Sequence, residues 1–268
     1  MTSLLRRFIA LNQRLSWGID RLLLPDSMRV DGNKDFKASV VPGLLRSGLR
    51  VYDLGGGSNP YLDDKTKADL GLSVIGLDIS EAELLAAPAG SYDRIIAADL
   101  CTFQGKGDAD LVICQATLEH VPDTAGAMRA IAETLAPQGI ACIFVPSRNA
   151  AFARLNLILP ESTKRLLLFS LFPQKALGHD GFKAYYDRCT PAELERLAHE
   201  NGLELVERRL YWVSSYFAIL TPIFLIWRLW QGIFRFISGP QAAETFVLVL
   251  RRPSCHSPIE KDGIAETF

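Results

Sequence analysis

From residue 49 to about 145, short apolar runs alternate with segments whose apolar residues recur at helical spacing. The runs predict strands over 50–54, 73–77, 94–97, 111–114 and 140–145, with helices over 60–70, 81–86 and 124–135 between them. Strand–helix alternation at this pitch builds βαβ units, hence a parallel sheet covered on both faces. Right-handed crossovers then bring the strand carboxyl ends to one edge, where a ligand crevice is expected. A further helix near 190 and strands over 204–208 and 244–250 complete an α/β, doubly wound, mostly parallel seven-stranded sheet. Thr190, Pro191 and Glu193 carry the signature of a helix start.

Two stretches break the alternation. Residues 1–24 place Leu4, Phe8, Leu11, Leu15, Ile19 and Leu22 at helical spacing with Arg6, Arg7, Arg14 and Arg21 between. The arginines and the lack of a small-residue cleavage site exclude a signal peptide. The helix is expected either to lie over the domain or to bind an anionic membrane surface. Residues 211–227 carry no charge, with Trp212, Trp227 and Trp230 near the ends of the apolar stretch. A single membrane span is excluded if the strands on either side are antiparallel neighbours, because a span would separate their joined ends by about 30 Å. The stretch must go out and return. Arg228, Gln231 and Arg235 share one helical stripe, expected at headgroup level in an interfacial helix. A hairpin buried on the protein or at a homodimer interface is the other option. The expected divisions are an N-terminal helix (1–30), a core domain (31–250) with helical insertions after strands 5 and 6 (146–189 and 211–238), and a disordered tail (251–268).

The sequence of 268 residues has a formal net charge of −1, which argues against nucleic acid as a bulk electrostatic partner. Five scattered cysteines lack zinc-ligand spacing, so no metal site is expected and the thiols read as reduced.

The candidate chemistry lies at the strand ends. Asp53-Leu54-Gly55-Gly56-Gly57-Ser58-Asn59-Pro60 runs from the first strand into a glycine turn that admits a ligand close to the backbone, with a helix expected from about Pro60. The second strand ends in Asp78-Ile79, an acid suited to two ribose hydroxyls. Asp99-Leu100 follows the third, where the carboxylate could accept from an adenine amino group. Gln115 and Leu118-Glu119-His120-Val121 follow the fourth. Any one acid would serve equally as a helix cap or loop charge, but three at successive strand ends fit capping poorly. Pro60 disfavours a dinucleotide pyrophosphate at this turn.

These motifs, in this order, resemble those of class I S-adenosylmethionine-dependent methyltransferases, in the small-molecule branch that includes the ubiquinone-type enzymes. The resemblance covers about residues 45–150 and extends to Leu135-Ala136-Pro137-Gln138-Gly139-Ile140 before the fifth strand. It implies S-adenosylmethionine as cofactor, held by Asp53, Gly55, Gly56, Gly57, Asp78, Ile79, Asp99, Leu100 and Gln115. Gly56 departs from the alanine or cysteine frequent there, which loosens the loop. His120 is the candidate base, with Glu119 orienting it or capping the next helix; the alternative is a loop histidine that closes the pocket. His179, Tyr185 and Tyr186 are candidates for acceptor recognition, within a segment that would equally serve as a packed loop. Both insertions leave the carboxyl edge, so the expected acceptor is a hydrophobic or lipid-linked small molecule, methylated on oxygen at a membrane surface. The expected location is cytoplasmic, peripheral on the inner face of the membrane, with a homodimer possible. The competing expectation is a non-catalytic scaffold of the same fold.

Overall fold

A computed structural model describes residues 3–159 and 183–254 of the protein. Seven strands form one sheet: β1 (Arg50–Leu54), β2 (Ser73–Asp78), β3 (Arg94–Ala97), β4 (Ala109–Gln115), β5 (Leu135–Pro146), β6 (Glu204–Tyr211) and β7 (Thr245–Arg251). Their order is β3-β2-β1-β4-β5-β7-β6. The first five run parallel, and β7 lies antiparallel to both β5 and β6. The central strands are apolar on both faces, as a sheet covered from both sides requires. One core, including Met128, Ile131 and Leu194, covers one face; a second, with Phe36, Val40 and Val41, covers the other.

The helices are α1 (Ser3–Leu23), α2 (Gly32–Asp35), α3 (Val41–Leu44), α4 (Asp64–Leu70), α5 (Glu81–Leu85), α6 (Thr124–Thr134), α7 (Ala151–Ile158), α8 (Pro191–Glu200) and α9 (Thr221–Ser238). Helix α4 begins four residues later than Pro60, because Asp63 caps it: its carboxylate accepts the Thr66 N–H at 2.7 Å. Thr190 caps α8 as the sequence predicts. The chain past Arg251 does not leave the fold at once. The Arg252 N–H donates to the Gly139 carbonyl at 3.0 Å, and Gln138 Nε2 to Ser254 Oγ at 2.8 Å. Cys101, Cys114, Cys142 and Cys189 are free and buried.

The β6-to-β7 excursion does go out and return, since Tyr211 and Thr245 are register partners. It leaves from the carboxyl edge of the sheet, where Pro146, at the end of β5, also pairs with Thr245. The expected direction of its polar stripe is wrong, however. Arg228 and Gln231 point into the protein, 8% and 2% exposed. Arg228 donates to Asp20 of α1 at 2.5 Å and to the Trp212 carbonyl at 2.9 Å. Gln231 also donates to Trp212, at 3.0 Å. Arg235 is exposed, with its guanidinium over the Trp212 ring. Helix α1 lies along α9, so the two excursions from the core form one layer. Among the described residues, no helix is long and apolar enough to cross a membrane.

Candidate active site

Asp53 ends the buried run of β1, and its carboxyl sits beneath the glycine turn. Oδ2 accepts the Tyr61 N–H at 2.8 Å and the Tyr92 hydroxyl at 3.2 Å. Burial pushes this carboxyl up to about 6; the two hydrogen bonds oppose that rise and nearby Asp78 adds to it. Gly55 and Gly57 take positive φ, 75° and 50°. A Cβ on Gly55 would collide with the Thr117 side chain, whose hydroxyl donates to the Leu54 carbonyl at 2.9 Å. A Cβ on Gly56 would collide with the Asp53 carboxylate and the Tyr92 hydroxyl. Gly56 therefore does not loosen the turn: Tyr92 fills the space a small side chain would take.

Asp78 closes the next strand, mostly buried, with Oδ1 accepting the Ser80 N–H at 2.9 Å. A Cβ on Gly57 would stand 3.2 Å from Asp78 Oδ2, so the glycine turn and this carboxylate border one crevice. Ile79 beside it is 64% exposed, an apolar surface suited to a flat ring. Asp99 is exposed after β3 and turns its own chain, accepting the Cys101 N–H at 2.8 Å, while Leu100 packs into the core. Gln115, at the end of β4, donates to Asn33 of α2 through a short hydrogen bond. Because β3, β2, β1 and β4 are successive neighbours, all these residues share one stretch of the carboxyl edge.

Glu119 and His120 form a short 3-10 turn after β4. Glu119 is 4% exposed, and its Oε2 has no hydrogen-bond partner among the described residues. Burial pushes its carboxyl up to about 8. It does not cap the following helix: Asp123 does, accepting the Gly126 N–H at 3.1 Å. His120 Nδ1 lies 3.2 Å from the Lys183 carbonyl, and Nε2 lies 3.9 Å from Glu119 Oε1. The Lys183 carbonyl can only accept, so in that hydrogen bond Nδ1 donates and Nε2 is the basic nitrogen of the neutral ring. The Glu119 carbonyl accepts the N–H groups of Tyr185 (2.8 Å) and Tyr186 (3.0 Å). Tyr185 is 39% exposed beside this loop, whereas Tyr186 is buried in the main core. His179 lies outside the described residues.

A family model described as a methyltransferase domain matches residues 32–208. The chain belongs to that family. It is 32% identical over 194 residues to a ubiquinone biosynthesis O-methyltransferase of Thiobacillus denitrificans, a match covering 66% of this chain and 78% of the relative. It is 28% identical to the protein of the same name from Cupriavidus pinatubonensis, covering 61% of this chain and 63% of the relative. Among solved structures, an S-adenosylmethionine-dependent methyltransferase from Mesorhizobium loti superposes with a TM-score of 0.51 at 18% identity, covering 83% of this chain and all of that one. A geranyl diphosphate C-methyltransferase from Streptomyces coelicolor gives 0.53 at 12%, covering 82% and 79%. These likenesses establish the fold.

The protein is thus an S-adenosylmethionine-dependent methyltransferase, and its crevice fits the cofactor: the turn has no room for side chains and Asp78 borders it. Several residues that contact the turn and the strand ends escape the motifs. Tyr92, Thr117 and Asn33 shape the crevice through contacts with Asp53, Gly55 and Gln115. Ser58 donates to Glu83 of α5 at 2.7 Å, pinning the turn from the far side. None has a local signal, because each acts on a residue distant in the chain.

Proposed function

We propose that this methyltransferase methylates an oxygen of a hydrophobic or lipid-linked small molecule that reaches the site from a membrane. The cofactor supplies a methyl group activated on sulfonium sulfur. Asp53, the glycine turn, Asp78 and Ile79 would hold the cofactor, with Asp99, Leu100 and Gln115 around it, as the family resemblance implies. The chain's own task is then to orient the acceptor, exclude water and take up one proton. His120 suits that last role, as a partly exposed imidazole in the loop after β4, the strand that pairs with the one carrying the glycine turn. Glu119 is uncharged below about pH 8, so it contributes a buried polar wall rather than a second negative charge. Tyr185, open beside His120, is the described candidate for acceptor contact.

The observation that carries this reading is the apolar layer at the same sheet edge. Helices α7 and α9 join strands through that edge and leave Leu155, Ile158, Ile226 and Leu229 exposed. The names of the two relatives, ubiquinone biosynthesis O-methyltransferases, support the same reading. The test is transfer of labelled methyl from S-adenosylmethionine into lipid extracts by the wild type and His120→Ala. Label in an apolar product, lost by at least about a hundredfold in the variant, is expected. Label confined to water-soluble acceptors would overturn the acceptor class. Full turnover of the variant at saturating acceptor would overturn the base.

A further inference from the structure

Helices α1 and α9 meet through a mixed seam, in which Phe224 and Trp227 of α9 are buried with Trp17 and Ile19 of α1 packed against them, yet most of their apolar residues lie outside it. The side of α1 that meets the protein carries Asn12, Ser16 and Asp20, spaced by four residues and all buried. Asn12 Oδ1 accepts the Thr221 N–H at 3.0 Å, Ser16 donates to the Ala218 carbonyl at 3.2 Å, and Asp20 pairs with Arg228. Most of the other large apolar residues face out. Of the twenty-three large hydrophobic side chains exposed among the described residues, fourteen lie on these two helices, seven on each. Leu11, Leu15 and Leu22 are 57%, 52% and 86% exposed; Ile226, Leu229 and Phe236 are 71%, 68% and 93% exposed. In water this arrangement exposes far more apolar surface than the few hundred Å² of an ordinary monomer patch.

Charge identifies what covers the layer. Arg7, Arg14 and Arg21 recur every seven residues, an exposed row flanking the outward leucines of α1. Arg6 and Arg235 are exposed as well. The one acid on either helix is Asp20, buried against Arg228. A second copy of the chain would bring the same arginines and apolar face without an acid from either helix to match them. An anionic bilayer supplies both complements, acyl chains for the leucines and isoleucines and phosphates for the arginines.

We propose that α1 and α9 together lie in the plane of an anionic phospholipid bilayer, apolar face down, with Arg7, Arg14 and Arg21 on the headgroups and the buried polar contacts fastening the pair to the enzyme. This rests on the reading of a membrane-fed active site and specifies the surface that feeds it. The full chain is mixed with vesicles of equal phosphatidylglycerol and phosphatidylcholine, or of phosphatidylcholine alone, and sedimented. Binding to the anionic vesicles is expected, weaker on neutral ones and weakened by salt. Replacing Arg7, Arg14 and Arg21 with Gln should reduce anionic partition on the order of a hundredfold. Leu15→Glu with Leu229→Glu should abolish it on both vesicle types. Both variants must still bind S-adenosylmethionine by calorimetry, which reports that the core is folded. The proposal is overturned if wild type stays in the supernatant with anionic vesicles, or if it is a dimer without lipid that the two glutamates convert to a monomer. Vesicle binding with no methylated lipid would refute the acceptor class and leave this surface standing. Methylated lipid without vesicle binding would do the reverse.

Discussion

Glu119 shows how far a single side chain departs from its type. Its carboxyl is buried, and burial holds its titration near 8 instead of near 4.5. The folded state therefore keeps a proton that the unfolded chain releases, and stability falls as pH rises from about 4.5 to about 8. Glu119→Gln removes that loss. At pH 9 the variant should melt at least about 3 °C above wild type, the effect of roughly 1 kcal/mol in a domain of this size, with near coincidence at pH 4.5. Asp53 and Glu244 shift in the same sense, so the difference between the two proteins is the quantity to follow by calorimetry. An equal gap at both pH values would refute the assignment. The sequence marked Glu119 by position alone. Its burial depends on Tyr185, Tyr186 and the core beneath, which are far along the chain. Gly56 is similar: the triplet of glycines was legible, but the reason for the middle one is Tyr92, which belongs to no motif.

At the level of elements, β1, β2, β3 and β7 fall within a residue of the apolar runs that predict them, because short apolar runs bounded by turn formers have few other uses, whereas β5 starts at Leu135, five residues before its run, and β6 continues three residues further, to Tyr211. Helix starts were read where the cap was local, as at Thr190, and misplaced where a proline competed with a better cap three residues on. The polar stripe of α9 was visible, but its direction was not. Periodicity identifies a face and leaves open which neighbour it meets, and that neighbour is α1, about two hundred residues earlier. The Asp20–Arg228 pair fixes the choice. Breaking it leaves a charge in a dry interface, so Arg228→Ala should cost about 3–5 kcal/mol. Asp20→Leu with Arg228→Met should recover most of that. Urea titration gives the totals, and hydrogen exchange should show α1 amides losing protection first in the single variant. If α1 stays protected in Arg228→Ala, the pair is not what fastens it.

On the scale of the molecule, one sheet edge gathers the glycine turn, the Glu119–His120 loop and the return point of the α9 excursion. The excursion containing α9 leaves the sheet after Tyr211 and re-enters at Thr245, two residues that already face each other across the ladder. In engineering terms this is a cassette. Residues 213–243 can be exchanged for a tight Asn-Gly turn without shifting the register of β6 against β7, and α1, whose anchor is then gone, can be trimmed with them. Such a chain should keep S-adenosylmethionine affinity within about threefold, since the crevice lies on β1, β2 and β4, while losing turnover of bilayer-borne acceptors. The catalytic core and its means of reaching a substrate would then be separable parts, open to being recombined with a different docking module.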